Sequence, residues 1–147
     1  MRAVITGATS GIGKAMACQL AQNGWSLVLT GRNQTVLEQL QKNLPTAVEI
    51  LPLDLAEEEA PYQLFDFCKK KRVDLLVNNA GFGIFGRFTE TNLQEEMDLL
   101  AVNVRALHIL TKTLFKEVSG SETRSDFECC FECGIFDRAI AVLLLCL

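Results

Sequence analysis

The stretch that decides the fold of this chain is T-G-A-T-S-G-I-G, residues 6–13. It follows a short apolar run at residues 3–6 and precedes a helical pattern over residues 14–22. A glycine-rich turn between a strand and a helix lets backbone amides approach a diphosphate, with the positive end of the helix dipole behind them. The spacing is G-x-x-x-G-x-G rather than G-x-G-x-x-G, so the motif alone leaves an ordinary glycine turn open as the alternative.

Apolar strand patterns alternate with helical patterns on the C-terminal side of this turn. The predicted strands are residues 3–6, 25–30, 48–53 and 73–77, and the predicted helices between them are residues 14–22, 36–44 and 61–71. This alternation predicts an α/β fold, in which a parallel sheet is covered on both faces in a three-layer, doubly wound, Rossmann-like arrangement. Ligand-binding groups are then expected at the carboxyl ends of the strands.

A long helix is predicted after the fourth strand. Thr91 and Gln94 fit a capping box at its start. Its apolar side chains fall on or near one face, and they are Leu93, Met97, Leu100, Leu107, Leu110 and Leu114.

Composition and charge narrow the class of protein. The 147 residues are 49% hydrophobic and 22% charged, as expected for one globular domain, and Cys18 and Cys68 fit small buried apolar residues. The net charge of −4 gives no reason to expect nucleic acid or an anionic membrane as a partner. No signal peptide pattern is present and the apolar stretch at residues 139–147 is too short to span a bilayer, so a cytoplasmic location is expected.

Several motifs together make the first part of the chain resemble the short-chain dehydrogenase/reductase (SDR) family. After T-G-A-T-S-G-I-G come Asp54-Leu55 at the end of the third strand, Asn78-Asn79-Ala80-Gly81 at the end of the fourth, and Asn103 in the long helix. These match, in order, the family's adenine-binding Asp, its N-N-A-G motif and the Asn of its catalytic tetrad. The resemblance covers residues 1–118 as an incomplete SDR domain and implies the strand order 3-2-1-4.

The resemblance also implies roles for individual residues. The expected diphosphate cradle is Gly7, Ser10, Gly11, Ile12 and Gly13, and the expected wall beside the ribose is Asn79, Ala80 and Gly81. Asp54 and Leu55 would meet the adenine, and Asn103 would hold a water in the proton relay. From the residues alone, Asp54 could instead form a turn, and Asn103 could be a helix-capping or surface amide.

The second strand indicates NADP(H) rather than NAD(H) as the cofactor. Residues 25–33 contain no acidic side chain that would bind a ribose 2′-hydroxyl and repel a 2′-phosphate. Arg32, with Asn33 beside it, follows the strand, and a guanidinium there can pair with a phosphate through two parallel hydrogen bonds. The alternative for Arg32 is a solvated loop arginine.

The family's catalytic centre is missing from the sequence. SDR enzymes use a Ser after the fifth strand and a Tyr-x-x-x-Lys in which the Tyr is the general acid or base. The single tyrosine, Tyr62, lies before the fourth strand and is followed four positions on by Asp66. The resemblance therefore implies an oxidoreductase that moves hydride between NADP(H) and a small carbonyl or alcohol substrate, often as a homo-oligomer, but this chain is expected to be inactive. The alternative function is a non-catalytic dinucleotide-binding fragment or an NADPH-sensing protein.

The tail, residues 119–147, does not continue the family pattern. Four of the six cysteines crowd into its end, at Cys129, Cys130, Cys133 and Cys146, without the further ligands that a zinc site needs, so no metal is predicted. Codons for residues 127–147, read one base later, permit L-N-V-A-S-S-A-G-F-L-T-G-R-L-L-S-S-Y-Y-A, and S-K can follow. This string contains the missing Ser and Tyr-x-x-x-Lys, so the tail is interpreted as an out-of-frame translation that begins near residues 119–122. The fourth strand is then expected to lack its native neighbour, which predicts low stability.

Overall fold

The structure, a computed structural model, describes the backbone of residues 1–119 and 141–144 and the side chains of residues 1–114. The strands are β1 (Arg2–Ile5), β2 (Ser26–Gly31), β3 (Val48–Pro52), β4 (Leu75–Asn78) and β5 (Ala141–Leu144). The helices are α1 (Gly11–Gln22), α2 (Gln34–Asn43), α3 (Ala60–Cys68), α4 (Leu93–Leu100), a π-helix (Ala101–Ala106) and α5 (Leu107–Ser119).

The five strands form one parallel sheet in the order β3-β2-β1-β4-β5. The predicted α/β class and the order 3-2-1-4 are confirmed. Successive residues of a strand point to opposite faces, so Ala3 and Ile5 pack on the side of α1 and α2 while Val4 packs on the side of α3 and α5. The carboxyl ends of all these strands meet at one edge of the sheet, which is where side chains from distant parts of the sequence come together.

The outer edge of β4 is paired, although the sequence predicts that this strand lacks its native neighbour. Residues 141–144 lie parallel to β4, in register from Leu75 opposite Ala141 to Asn78 opposite Leu144. This pairing satisfies backbone groups that a free edge would leave open, since an extended A-V-L-L segment can supply a ladder of hydrogen bonds whatever its origin. Residues 120–140 and 145–147 lie outside the described residues, and they contain the four clustered cysteines.

The long helix differs from the prediction at its start and in its middle. Asn92, not Thr91, is the N-cap, because its Oδ1 accepts hydrogen bonds from the N–H groups of Gln94 and Glu95. The Gln94 side chain does not return to the cap but donates to Asp98. The π-helix then separates α4 from α5, so the predicted single helix is three segments.

The apolar side chains of the long helix have two different environments. Leu110 and Leu114 are buried against α3 and the sheet. Leu93, Met97 and Leu100 are 71%, 52% and 50% exposed, and α4 has its main contacts with the π-helix rather than with the sheet. Among the described residues, no helix is both long and apolar enough to cross a membrane.

Cys68 behaves as the sequence predicts, as an apolar core residue. It is fully buried between α3 and the sheet, and Cys18 is partly buried beside the other core cluster. Burial, followed by the charge of Lys71, sets the pKa of the Cys68 thiol, with the net effect of raising it to about 11. The thiol is therefore neutral and unreactive at physiological pH.

Two leucines of the long helix test the contrast between its buried and its exposed segments. Leu110→Ala should lower the free energy of unfolding by about 2–5 kcal/mol, because the truncation leaves a cavity between α5 and the sheet. Leu93→Ala, the same substitution at an exposed site, should change it by no more than about 0.5 kcal/mol. Urea denaturation of the three proteins measures both values, and equal losses in the two variants would contradict the described packing.

Candidate functional site

A cleft lies at the carboxyl ends of β1, β2, β3 and β4. Its lining contains most of the residues that the sequence predicts for cofactor binding, namely Gly7, Ser10, Gly11, Ile12, Arg32, Asp54, Leu55, Asn79, Ala80 and Gly81. Five further lining residues were not predicted, namely Thr9, Gly31, Leu53, Phe82 and Val102. The predicted residues Gly13, Asn33 and Asn103 do not line the cleft but have contacts that shape its walls.

The turn between β1 and α1 presents the start of a helix to the cleft. Ser10 is extended and precedes α1, and its carbonyl accepts the helix's first hydrogen bond, from Lys14 N–H. The first amides of a helix have no partner within the helix, so those of the first turn are available to a ligand. Gly11 has φ +49, and a Cβ built there would meet nothing within 4 Å. The space in front of this helix is therefore open, which suits an anion in contact with the backbone.

Gly13 packs so closely on the end of β4 that no side chain fits. A Cβ at this position would lie 2.4 Å from Nδ2 of Asn79 and 2.5 Å from the carbonyl oxygen of Gly7. Gly13 is therefore needed for contact within the protein, whereas Gly11 borders open space. Gly11 and Gly13, two of the three glycines of the motif, therefore have different reasons to be glycine, although the sequence suggested one.

Asn79 joins the two sides of the cleft. Its Nδ2 donates to the carbonyl oxygens of Thr6 (3.0 Å) and Gly7 (3.1 Å). In return, the Thr6 hydroxyl accepts from the N–H groups of Asn79 and Ala80, both at 3.0 Å, and donates to the carbonyl of Val77. Thr6 was not predicted as a site residue, and its burial next to the N-N-A-G motif is visible only once β1 and β4 are adjacent.

The carboxyl end of β2 places Arg32 at the mouth of the cleft. Arg32 is exposed, and Gly31 before it lies so close to Thr9 that a Cβ would be 2.8 Å from the Thr9 methyl. Asn33, which was assigned to the cofactor site, has another use for its side chain: Oδ1 accepts a hydrogen bond from Val36 N–H and caps α2. The signal for that cap is an Asn immediately before a helical pattern.

Asp54 forms a turn, which is one of the two roles that the sequence left open, and it also borders the cleft. Its Oδ1 accepts from Ala56 N–H at 3.0 Å and its carbonyl accepts from Glu57 N–H, so it forms a turn after β3. The same residue lines the cleft. Leu55 beside it is buried and packs in a small cluster with Ala60, Val102 and Ala106, which connects this loop to the π-helix.

Asn103 lies in the π-helix and is tied to the loop that follows β4. Its Nδ2 donates to the carbonyl of Phe82 at 2.9 Å, and its Oδ1 accepts from Phe82 N–H at 3.2 Å. This pair of bonds holds the segment after Gly81 in place, and π-helical turns are often found at such functional positions. Both polar ends of the side chain are thereby occupied by backbone, so the amide is neither the helix cap nor the free surface group considered as alternatives.

Tyr62 lies away from this cleft. It is on α3 and 44% exposed, and the lining does not include it. Within the described residues, no group of three or more His, Cys, Asp or Glu side chains is arranged to hold a metal ion.

Comparison with known proteins identifies the family. The model of the short chain dehydrogenase family matches residues 1–124, so the chain belongs to this family. It is 34% identical to an uncharacterized oxidoreductase of Staphylococcus epidermidis, over 80% of this chain and 54% of that protein. It is also 34% identical to sulfoacetaldehyde reductase 2 of Chromohalobacter salexigens, over 80% of this chain and 50% of that protein.

Solved structures agree with that assignment. A short-chain dehydrogenase from Sphingobium yanoikuyae in complex with NADPH superposes with a TM-score of 0.73 at 30% identity, covering 78% of this chain and 47% of that one. A metagenomic short-chain oxidoreductase in complex with NADP gives a TM-score of 0.72 at 33% identity, covering 77% and 54%. The chain thus spans about half the length of these relatives.

Asn79 and Asn33 provide a test of the site geometry, because Asn79 uses its side-chain nitrogen as a donor and Asn33 uses its side-chain oxygen as an acceptor. Asn79→Asp replaces a donor to two carbonyls with a carboxylate oxygen, so it should lower the free energy of unfolding by about 2–4 kcal/mol. Asn33→Asp keeps the accepting oxygen of the α2 cap and should change the stability by less than about 0.5 kcal/mol. Denaturant titrations at neutral pH compare them, and a stable Asn79→Asp variant would show that the amide does not join β1 to β4.

Proposed function

We propose that this member of the short-chain dehydrogenase family binds NADP(H) in the cleft at the carboxyl ends of its strands. The observation that carries the proposal is the placement of Arg32 at the cleft mouth, at the end of a strand that carries no acidic residue. Relatives whose structures contain NADPH and NADP add support.

The residues present fit a dinucleotide. The open space in front of Gly11 would take the diphosphate, whose charge would be met by the unpaired amides of the first turn of α1. Asp54 and Leu55 would flank the adenine, and Asn79, Ala80 and Gly81 would form the wall beside the nicotinamide ribose. When bound, the cofactor supplies hydride transfer to a carbonyl or from an alcohol.

The exposed guanidinium of Arg32 is the group that distinguishes the two nicotinamide cofactors. Its planar fork can donate two parallel hydrogen bonds to a 2′-phosphate, and no carboxylate in residues 25–33 opposes that charge. A ribose 2′-hydroxyl offers neither the charge nor a second acceptor, so NADH would gain less from the same side chain.

We further propose that the chain binds without turnover. An SDR active site needs a tyrosine beside the cofactor, and the single tyrosine of this sequence is on α3 outside the cleft lining. The residue four positions after it is Asp66, where the family's motif has a lysine. Oxidation of NADPH with a panel of ketones and aldehydes tests this: the expected rate is that of the uncatalysed reaction, and turnover would refute it.

A frame change near residues 119–122 is the proposed origin of the tail. The family model stops at residue 124, and the shifted reading of residues 127–147 contains the family's Ser and Tyr-x-x-x-Lys in order. On this account the intact gene encodes an NADP(H)-dependent reductase or dehydrogenase of a small carbonyl or alcohol. Sequencing the gene across codons 115–150 decides it, and the absence of a family-like frame beyond the stop codon would reject it.

The intact enzyme is proposed to be a homo-oligomer. The exposed apolar side chains of α4 and the π-helix, Leu93, Met97, Leu100 and Val104, are a surface that a partner copy could cover.

Replacement of Arg32 tests the cofactor preference. Arg32→Ala should weaken the binding of NADPH by about tenfold or more, the loss expected for a charge-assisted pair, and leave NADH nearly unchanged. Lys70→Ala removes the same charge from the opposite end of the sheet and serves as the control. Fluorescence titrations of the parent and the two variants give six dissociation constants. An unaltered ratio of NADPH to NADH affinity in Arg32→Ala would show that Arg32 does not determine the cofactor preference.

A further inference from the structure

The π-helix is hydrogen-bonded to two of the loops at the cleft, those that follow β3 and β4. Asn103 holds the loop after β4 through the backbone of Phe82. Two residues further along, Arg105 reaches the loop after β3, where its Nη2 donates to the carbonyl oxygen of Ala56 at 2.7 Å. One helical segment is thus bonded to loops on two strands that are not neighbours in the sheet.

Ala56 is one of the two central residues of the turn that begins at Asp54. Its N–H donates to Oδ1 of Asp54, and its carbonyl accepts the guanidinium. The bond from Arg105 therefore fixes the far side of the same peptide segment that Asp54 closes. Leu55, between these two residues, is buried against Val102 and Ala106 of the π-helix, so packing and hydrogen bonding hold the loop to the same support.

The bond is charge-assisted and largely removed from water. The Arg105 side chain is partly buried, and its Nε is buried without a protein partner. A guanidinium kept in such a position loses hydration, and the Ala56 carbonyl is the acceptor that offsets this cost. Loss of the side chain would free the loop at the point where it borders the cleft.

We propose that Arg105 is a positioning residue that holds Asp54 and Leu55 in place as the adenine wall of the cleft, and so sets the affinity for the adenine half of the cofactor. This inference rests on the proposed binding of NADP(H). Arg105 is not itself among the lining residues, so its effect passes through Ala56 and the turn.

Two ligands separate an effect on the adenine half of the cleft from an effect on the nicotinamide half. The compound 2′,5′-ADP contains the adenine half without nicotinamide, whereas NADPH contains both halves. In the full chain, Arg105→Met should weaken both ligands by the same factor, about tenfold. Asn103→Ala, which loosens the other wall at Phe82, should weaken NADPH but leave 2′,5′-ADP within about twofold of the parent.

Control variants complete the experiment, with binding measured by calorimetry and folding by circular dichroism. Lys112→Met removes an exposed positive charge from the same long helix and should bind both ligands like the parent. Arg105→Lys keeps the charge and the aliphatic stem but not the planar fork, and should show a smaller loss of about threefold in 2′,5′-ADP affinity.

The outcomes distinguish this inference from the function on which it rests. If the parent binds neither ligand, the proposed function fails and the inference with it. If the parent binds both and folded Arg105→Met binds 2′,5′-ADP equally well, Arg105 does not position the adenine wall. If Arg105→Met does not fold, the lysine variant decides, and parent-like affinity for 2′,5′-ADP in Arg105→Lys overturns the inference.

Discussion

The close approach of the β1–α1 turn to the end of β4 is the constraint on which the rest of the site depends. Asn79 fills the space between these segments, and the gap is so narrow that Gly13 has no room for a Cβ. Because the turn is held from this side, α1 begins at the edge of the cleft and its first amides face open space. The position of a diphosphate would then be set by contacts within the protein, between the β1–α1 turn and the end of β4.

The fold could be predicted from the sequence because its signals are local. Apolar strand runs alternate with helical stripes, and that alternation is enough for a parallel sheet with helices on both faces. The errors arose where tertiary context decides. Asn92 replaces Thr91 as the cap, the π-helix interrupts a continuous helical pattern, and residues 141–144 pair with β4 although nothing in their composition specifies a partner.

The residues of the candidate site likewise include some that the sequence reveals and some that it does not. Residues that contribute backbone to the cleft, such as Gly7 and Gly11, belong to motifs and could be found from spacing. Residues whose side chains bond to backbone groups elsewhere in the chain could not be found from spacing. Thr6 and Arg105 bond to peptide groups about 50–75 positions away in the chain, and no local pattern encodes those distances. Asn103 was found by resemblance, but its bonds to Phe82 are a structural finding.

The central claim is that the start of α1 receives the diphosphate of a nicotinamide dinucleotide. Its most direct test is the two-dimensional amide NMR spectrum of the full chain during titration with NADPH. The account predicts that the largest shifts fall on the amides of Ser10, Gly11, Ile12 and Gly13, with further changes at Asp54 and Asn79. Unchanged spectra at a saturating ligand concentration, or shifts confined to residues outside the cleft, would contradict it.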